Sequence, residues 1–142
     1  MSVNTNPIYS GIGQMTWTTA ITTGNGSYDM TSGVSASVFT ASPSGSYLQR
    51  VRLKASGSTS ASVARIFINN GGGTDTAANN VLFDEIALPP VLATSASSTP
   101  VFEVPMNLPL PANHVVYVTL GISQGPGGGW YASAVGGSYV AP

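Results

Sequence analysis

What this sequence lacks bounds it more tightly than what it holds. There is no cysteine, so neither a disulfide framework nor a thiolate site can form, and the redox compartment stays open. Charge is scarce: Asp, Glu, Lys and Arg make up 6% of the chain, against about 25% in an average soluble domain. With only four cations, nucleic acid and anionic membrane are poor direct partners, because both are held by Lys and Arg neutralising phosphate. No apolar run approaches the ~20 residues of a membrane span. The opening MSVNTNPIYSGIGQ lacks the basic-then-apolar order of a secretion signal, so export is not expected.

Catalytic constellations are missing as well. The single histidine, His114, follows the turn Pro111-Ala112-Asn113, and no serine sits in a G-x-S-x-G elbow. His114 therefore reads as a turn-flanking surface residue rather than a general base. The acids are Asp29, Asp75, Asp84, Glu85 and Glu103. Asp84 and Glu85 are neighbours on a strand and point to opposite faces, so they cannot form a glycosidase pair; nothing supports Glu85 with Glu103. The loop Asn69 to Asp75 offers one carboxylate, a poor cage for calcium, and reads as a turn whose Asn and Asp side chains bond their own backbone. Gly125 to Gly129 lacks the Lys-Ser/Thr and helix of a phosphate cradle. We expect no enzyme, no metal and no cofactor.

What is present is a succession of strands. Tyr47 to Pro90 holds three strand-like runs and every Lys and Arg of the chain: Arg50, Arg52, Lys54 and Arg65. In the first run, Tyr47, Val51, Leu53 and Ala55 alternate with Arg50, Arg52 and Lys54, giving an apolar face and a cationic face, with Leu48 out of step. The second, Val63 to Asn69, sets Ala64, Ile66 and Ile68 against Val63, Arg65 and Phe67; both faces read as largely covered. The third, Val81 to Leu88, groups Leu82, Ile86 and Leu88 against Val81, Phe83 and Glu85. Pairing of the cations with Glu85 and Asp84 on a neighbouring strand is one reading of the charged face; an acidic partner surface is the other.

Around this block the chain continues in kind. Residues 1–14 read as an extended arm, and 15–142 as one domain, large enough to bury roughly 68–70% of its extended surface. Met15 to Thr23 alternates Met15, Trp17, Thr19 and Ile21 with Thr16, Thr18, Ala20 and Thr22, predicting a half-buried strand with a threonine-rich solvent face. Asn25-Gly26 predicts a type I′ hairpin turn. Asn25-Gly26-Ser27 also matches a glycosylation acceptor, set aside because no secretion signal precedes it. Ser35 to Thr40 is a short strand. Val101 to Leu110 puts Phe102, Val104, Met106, Leu108 and Leu110 on one face, and Pro105 with Pro109 confine it to a sheet edge or an irregular segment. His114 to Ser123 is a core strand and Trp130 to Val135 a last one. No stretch has helical periodicity; Thr76 to Asn80 alone tolerates a helix. The prediction is all-β, an antiparallel β-sandwich or jelly roll of about eight short strands with an extended N-terminal arm.

Such low charge fits either a β domain kept soluble by hydroxyls or a subunit largely covered in an assembly. The motifs R-V-R-L-K at 50–54, R-I-F-I-N-N-G at 65–71, A-A-N-N-x-L-F at 77–83, P-x-N-L-P-L-P at 105–111 and W-Y-A-S-A-V-G-G-S-Y at 130–139 bear on that choice. Together, from Tyr47 to Tyr139, they resemble capsid decoration (cement) proteins of tailed bacteriophages; residues 1–46 carry no such likeness. The resemblance implies a β-sandwich that binds the outer face of the major capsid protein shell, forms a homo-oligomer, with a trimer favoured, and resides on the virion after synthesis in the host cytoplasm. The expected shell contacts are Pro7, Ile8, Tyr9 and Ile12 of the arm and Arg50, Arg52 and Lys54 of the charged face. The rival class is a carbohydrate- or receptor-binding module of a phage tail or fibre. It calls for exposed aromatics among Trp17, Tyr28, Trp130 and Tyr131, whereas Trp17, on an alternating apolar face, is expected in the core.

Overall fold

The computed structural model describes residues 11–139, and these form eight strands. In chain order they are β1 (Ile12–Trp17), β2 (Ala36–Thr40), β3 (Ser46–Ala55), β4 (Ser62–Asn69), β5 (Asn80–Leu88), β6 (Val101–Leu110), β7 (Val115–Leu120) and β8 (Trp130–Ser138). Each overlaps a predicted run. The helix-tolerant piece is a single 3-10 turn at Ala77–Asn79. Two antiparallel four-stranded sheets result, the first in the order β1-β8-β3-β6 and the second in the order β2-β7-β4-β5. The pairing is nested, β1 with β8, β2 with β7, β3 with β6 and β4 with β5. Of the two readings its prolines allowed, a sheet edge or an irregular segment, β6 is an edge strand.

The core lies between the sheets and follows strand parity. Val51 and Leu53 of β3, Val104 and Met106 of β6, and Ala132 and Ala134 of β8 face Ala64 and Ile66 of β4 and Val116, Val118 and Leu120 of β7. Trp130 is fully buried and packs edge-on against Phe102, with ring centroids 5.8 Å apart.

Two bulges alter the predicted faces. The register of β3 shifts between Leu48 and Arg50 against both β6 and β8. The extra residue, Gln49, lets Leu48 and Val51 both point inward and sends Tyr47 outward with the cations, contrary to the grouping of Tyr47 with Val51. Gly136 lies opposite Leu48 at this point, where a Cβ would come 2.1 Å from the Tyr47 carbonyl oxygen; only glycine allows that approach. A second shift, between Ile66 and Phe67, pairs Leu82 with Phe67 on the outer face of the second sheet, while Ile86 packs on the core. Leu82 thus leaves the face it was expected to share with Ile86 and Leu88.

The N-terminal third departs furthest from expectation. The strand begins at Ile12 rather than Met15 and ends at Trp17, so the proposed arm cannot extend to residue 14. Its polarity is also inverted. Trp17 is 70% exposed and Met15 62%, while Thr18 is buried. The reason lies in β2, which pairs with β7 on one side only. On its open side the Thr16 hydroxyl donates to the Val38 carbonyl and the Gln14 amide donates to the Thr40 carbonyl at 2.8 Å. The Thr18 hydroxyl accepts from the Ala132 amide. Polar side chains turn inward because backbone groups at the sheet edges need partners, and Met15 and Trp17 are left outside.

No hairpin forms at Asn25-Gly26. The Asn25 amide donates to the Leu120 carbonyl at 2.6 Å, and its side-chain oxygen accepts from the Ser27 amide and hydroxyl. Asn25 and Met30 are buried, as are Phe67 and Arg65 on the outer side of the second sheet. The β1–β2 connection thus lies over that sheet instead of returning as a strand.

Candidate binding face

The outer face of the first sheet gathers the predicted cations. Residues directly opposite in an antiparallel pair share a face, and the registers lay out three rows across the strands. Met15, Val135, Arg50 and Pro105 form one; Trp17, Ser133, Arg52 and Glu103 the next; Tyr131, Lys54 and Val101 the third. Tyr131 is 49% exposed. The β1 side is therefore apolar and aromatic, and the β3–β6 side is charged.

The charge pairing differs from expectation. Arg50 Nη1 lies 3.7 Å from Glu103 Oε2, and Arg52 Nε lies 3.4 Å from Glu103 Oε1. Asp84 and Glu85 are not the partners, because β5 belongs to the other sheet and β3 pairs with β6 and β8. All three groups are about half exposed, so each pair contributes roughly 0–1 kcal/mol. Lys54 Nζ donates to the Thr99 carbonyl at 2.8 Å. Three cations against one carboxylate leave this face with a net charge of +2. Glu103 orders two arginines without neutralising them.

Arg65, the fourth cation, belongs elsewhere. It is 7% exposed on the outer side of the second sheet. Its Nε donates to Glu85 Oε1 at 2.7 Å, its Nη1 donates to the Asn25 carbonyl at 3.4 Å, and its guanidinium lies 4.2 Å from the centroid of the Tyr28 ring. A guanidinium paired, hydrogen-bonded and stacked in this way ties the β1–β2 connection to the sheet. Sequence parity showed that both faces of β4 were covered, but not what covered them.

Of the other expected contacts, Ile12 is exposed, but β1 places it on the opposite side of the first sheet from the cations. Pro7, Ile8 and Tyr9 lie outside the described residues. The structure therefore unites Arg50, Arg52 and Lys54 and separates Ile12 from them. It adds Met15, Trp17 and Tyr131, of which Trp17 was assigned to the core. Among the rival's aromatics, Tyr28 is exposed and Trp130 is not.

The residues weighed for chemistry stay apart. His114 follows the turn and its Nδ1 lies 3.3 Å from the Ala112 carbonyl. Asn69 and Asn70 accept from the amides of Gly71 and Gly72, the self-capping expected of that loop, though Asp75 takes no part in it.

What the geometry defines is a class: an antiparallel two-sheet β-sandwich with one outer face partly covered by the β1–β2 connection and the other, cationic and aromatic, left open among the described residues. No family model, curated protein or solved structure matches the chain.

Proposed function

We propose that this chain is a structural virion protein that binds the assembled major capsid protein shell of a tailed bacteriophage and stabilises it as a decoration, or cement, protein. The observation that carries the reading is the outer face of the first sheet, which no other described segment covers. A net charge of +2 suits an acidic patch, and Met15, Val135 and Tyr131 supply apolar area beside it. An interface needs both, since apolar burial supplies most of the affinity and complementary charge sets register and partner. The motif resemblance from Tyr47 to Tyr139 supports the same reading. The nested strand pairing supports the jelly-roll form of the fold.

The mechanism is mass action. Each copy bridges neighbouring shell subunits, and binding energy available only in the assembled state shifts the equilibrium toward the intact shell. The chain acts without catalysis or cofactor, on the virion surface, as a homo-oligomer with a trimer favoured. The residues ahead of β1 are proposed to add contacts to the shell.

Particles lacking the protein are expected to assemble but to release DNA at lower temperature than complete ones. Unchanged thermal release would sink the proposal. Adding back Arg50→Gln/Arg52→Gln protein is expected to fail to restore release to its normal temperature, while the variant alone still unfolds cooperatively, since the two half-exposed pairs it loses contribute little. Removing residues 1–10 is expected to weaken attachment without shifting the folding transition. The alternative, a carbohydrate- or receptor-binding module of a tail or fibre, gains one observation, the exposure of Trp17.

A further inference from the structure

One end of the sandwich carries an open cleft of about 450 Å³, between the run that follows β1 and the run that leads into β2. Trp17, Thr19, Thr22, Thr23, Ser35 and Ser37 line it. A second depression, of about 560 Å³, adjoins it through shared Ala20 and Thr22 and is bordered by Ser56, Gln124 and the glycine turn. Both volumes lie within the ~300–1,000 Å³ of small-molecule sites. The walls are fixed by backbone bonds. Ile21 and Trp130 exchange bonds at 2.8 and 3.0 Å, and the Gln124 amide donates to the Thr22 carbonyl at 2.7 Å.

The lining selects a ligand class. No charged residue borders either depression, so an ionic ligand would lose its hydration without gaining a counter-charge. The hydroxyls of Thr19, Thr22, Thr23, Ser35 and Ser37 bond to no other described residue, whereas that of Thr18 is engaged with Ala132. Most of these residues are solvent-exposed, so their hydroxyls are open to exchange water for a ligand rich in hydroxyls. Trp17, with its indole mostly exposed, closes the set.

We propose that this end of the sandwich binds a neutral oligosaccharide. Sugar hydroxyls take up the uncommitted threonine and serine hydroxyls, and the C–H face of a pyranose ring stacks on the Trp17 indole. The two joined depressions admit a short chain of sugars rather than one. The site shares Trp17 with the edge of the outer face of the first sheet but goes beyond shell attachment, since the cations and Glu103 take no part.

The test uses the purified full chain on a printed array of neutral and sialylated oligosaccharides, followed by calorimetric titration of the best neutral binder. Wild-type protein is expected to bind neutral members selectively. Trp17→Ala is expected to weaken the titrated affinity about tenfold or more, as loss of an aromatic anchor does. Thr22→Val is expected to weaken it less, and Arg52→Glu to leave it unchanged, with all three variants shown to be folded by a cooperative thermal transition above the assay temperature. The inference is overturned if no neutral oligosaccharide binds, if affinity ignores both Trp17→Ala and Thr22→Val, or if binding is confined to sialylated members and vanishes in Arg52→Glu. Thermal release of DNA from particles carrying Arg52→Glu reads the shell function separately.

Discussion

The outer faces of the two sheets began from the same sequence grammar and met opposite fates. Each alternates apolar inward residues with a mixed outward set containing an aromatic and at least one arginine. On the second sheet that set, Arg65 and Phe67, is buried under the β1–β2 connection. On the first sheet Trp17, Tyr131 and the cations remain open. Strand pattern alone therefore does not decide whether an outward face is core or surface; the connection laid over it does. A face left open among the described residues, in a chain so poor in charge, is where the proposed partner would sit.

The strongest way to break this comparison is to truncate one aromatic from each face. Phe67→Ala is expected to cost about 3–5 kcal/mol, as for other buried phenylalanines. Trp17→Ala, though it removes the larger ring, is expected to change stability by no more than about 0.5 kcal/mol, as exposed substitutions do. Chemical denaturation of both variants measures the contrast. Equal losses would mean that Trp17 is packed in solution and that the first sheet's face is not free.

A smaller contrast lies in the arginines. Arg65→Leu leaves Glu85 and Tyr28 without their partner, and because Glu85 is itself partly exposed the expected loss is about 1–3 kcal/mol. Arg52→Leu removes a half-exposed pair with Glu103, worth less than about 1 kcal/mol. If Arg65→Leu proved as mild as Arg52→Leu, the connection would not be anchored where Arg65 holds it.

The strands themselves were legible because β-branched and aromatic residues alternate in runs bounded by Gly, Pro and Asn. The charged face was legible for the same reason: Arg50, Arg52 and Lys54 share a parity that no other element disturbs. Their partner was not. Glu103 lies on β6, and which strands pair is a property of the nested topology, whereas Asp84 and Glu85 are nearer in sequence but lie in the other sheet. Gln49 looks like any polar strand residue, and only its crowded neighbours, with Gly136 among them, reveal a bulge. Trp17 was misplaced because threonines at 16 and 18 resemble a solvent face. Their inward turn answers needs that β1 does not advertise: Thr16 supplies a donor to β2, and Thr18 an acceptor for the Ala132 amide of β8.

The finest test of the covered face uses pH. Asp29 sits in the connection over the second sheet, and its carboxylate accepts from the Thr31 hydroxyl at 2.7 Å and the Thr31 amide at 3.1 Å. The Thr31 hydroxyl first and its amide second hold the Asp29 carboxyl below its ordinary range, since both donors favour the charged form. A carboxyl lowered by folding adds stability that is complete above its unfolded value, about pH 4, and is lost as pH falls through the lowered native value. The connection is also tied down nearby, where the Asn80 side chain donates to the Asp29 carbonyl at 2.9 Å. Acid is therefore expected to loosen the cover locally, seen as faster hydrogen exchange at Thr31 and its neighbours below about pH 4. Asp29→Asn keeps a side-chain acceptor but cannot titrate, so it is expected to flatten that dependence while leaving exchange on the first sheet untouched. If exchange at Thr31 followed the same acid profile in Asp29→Asn as in the parent, the tie would lie in some other group of the connection.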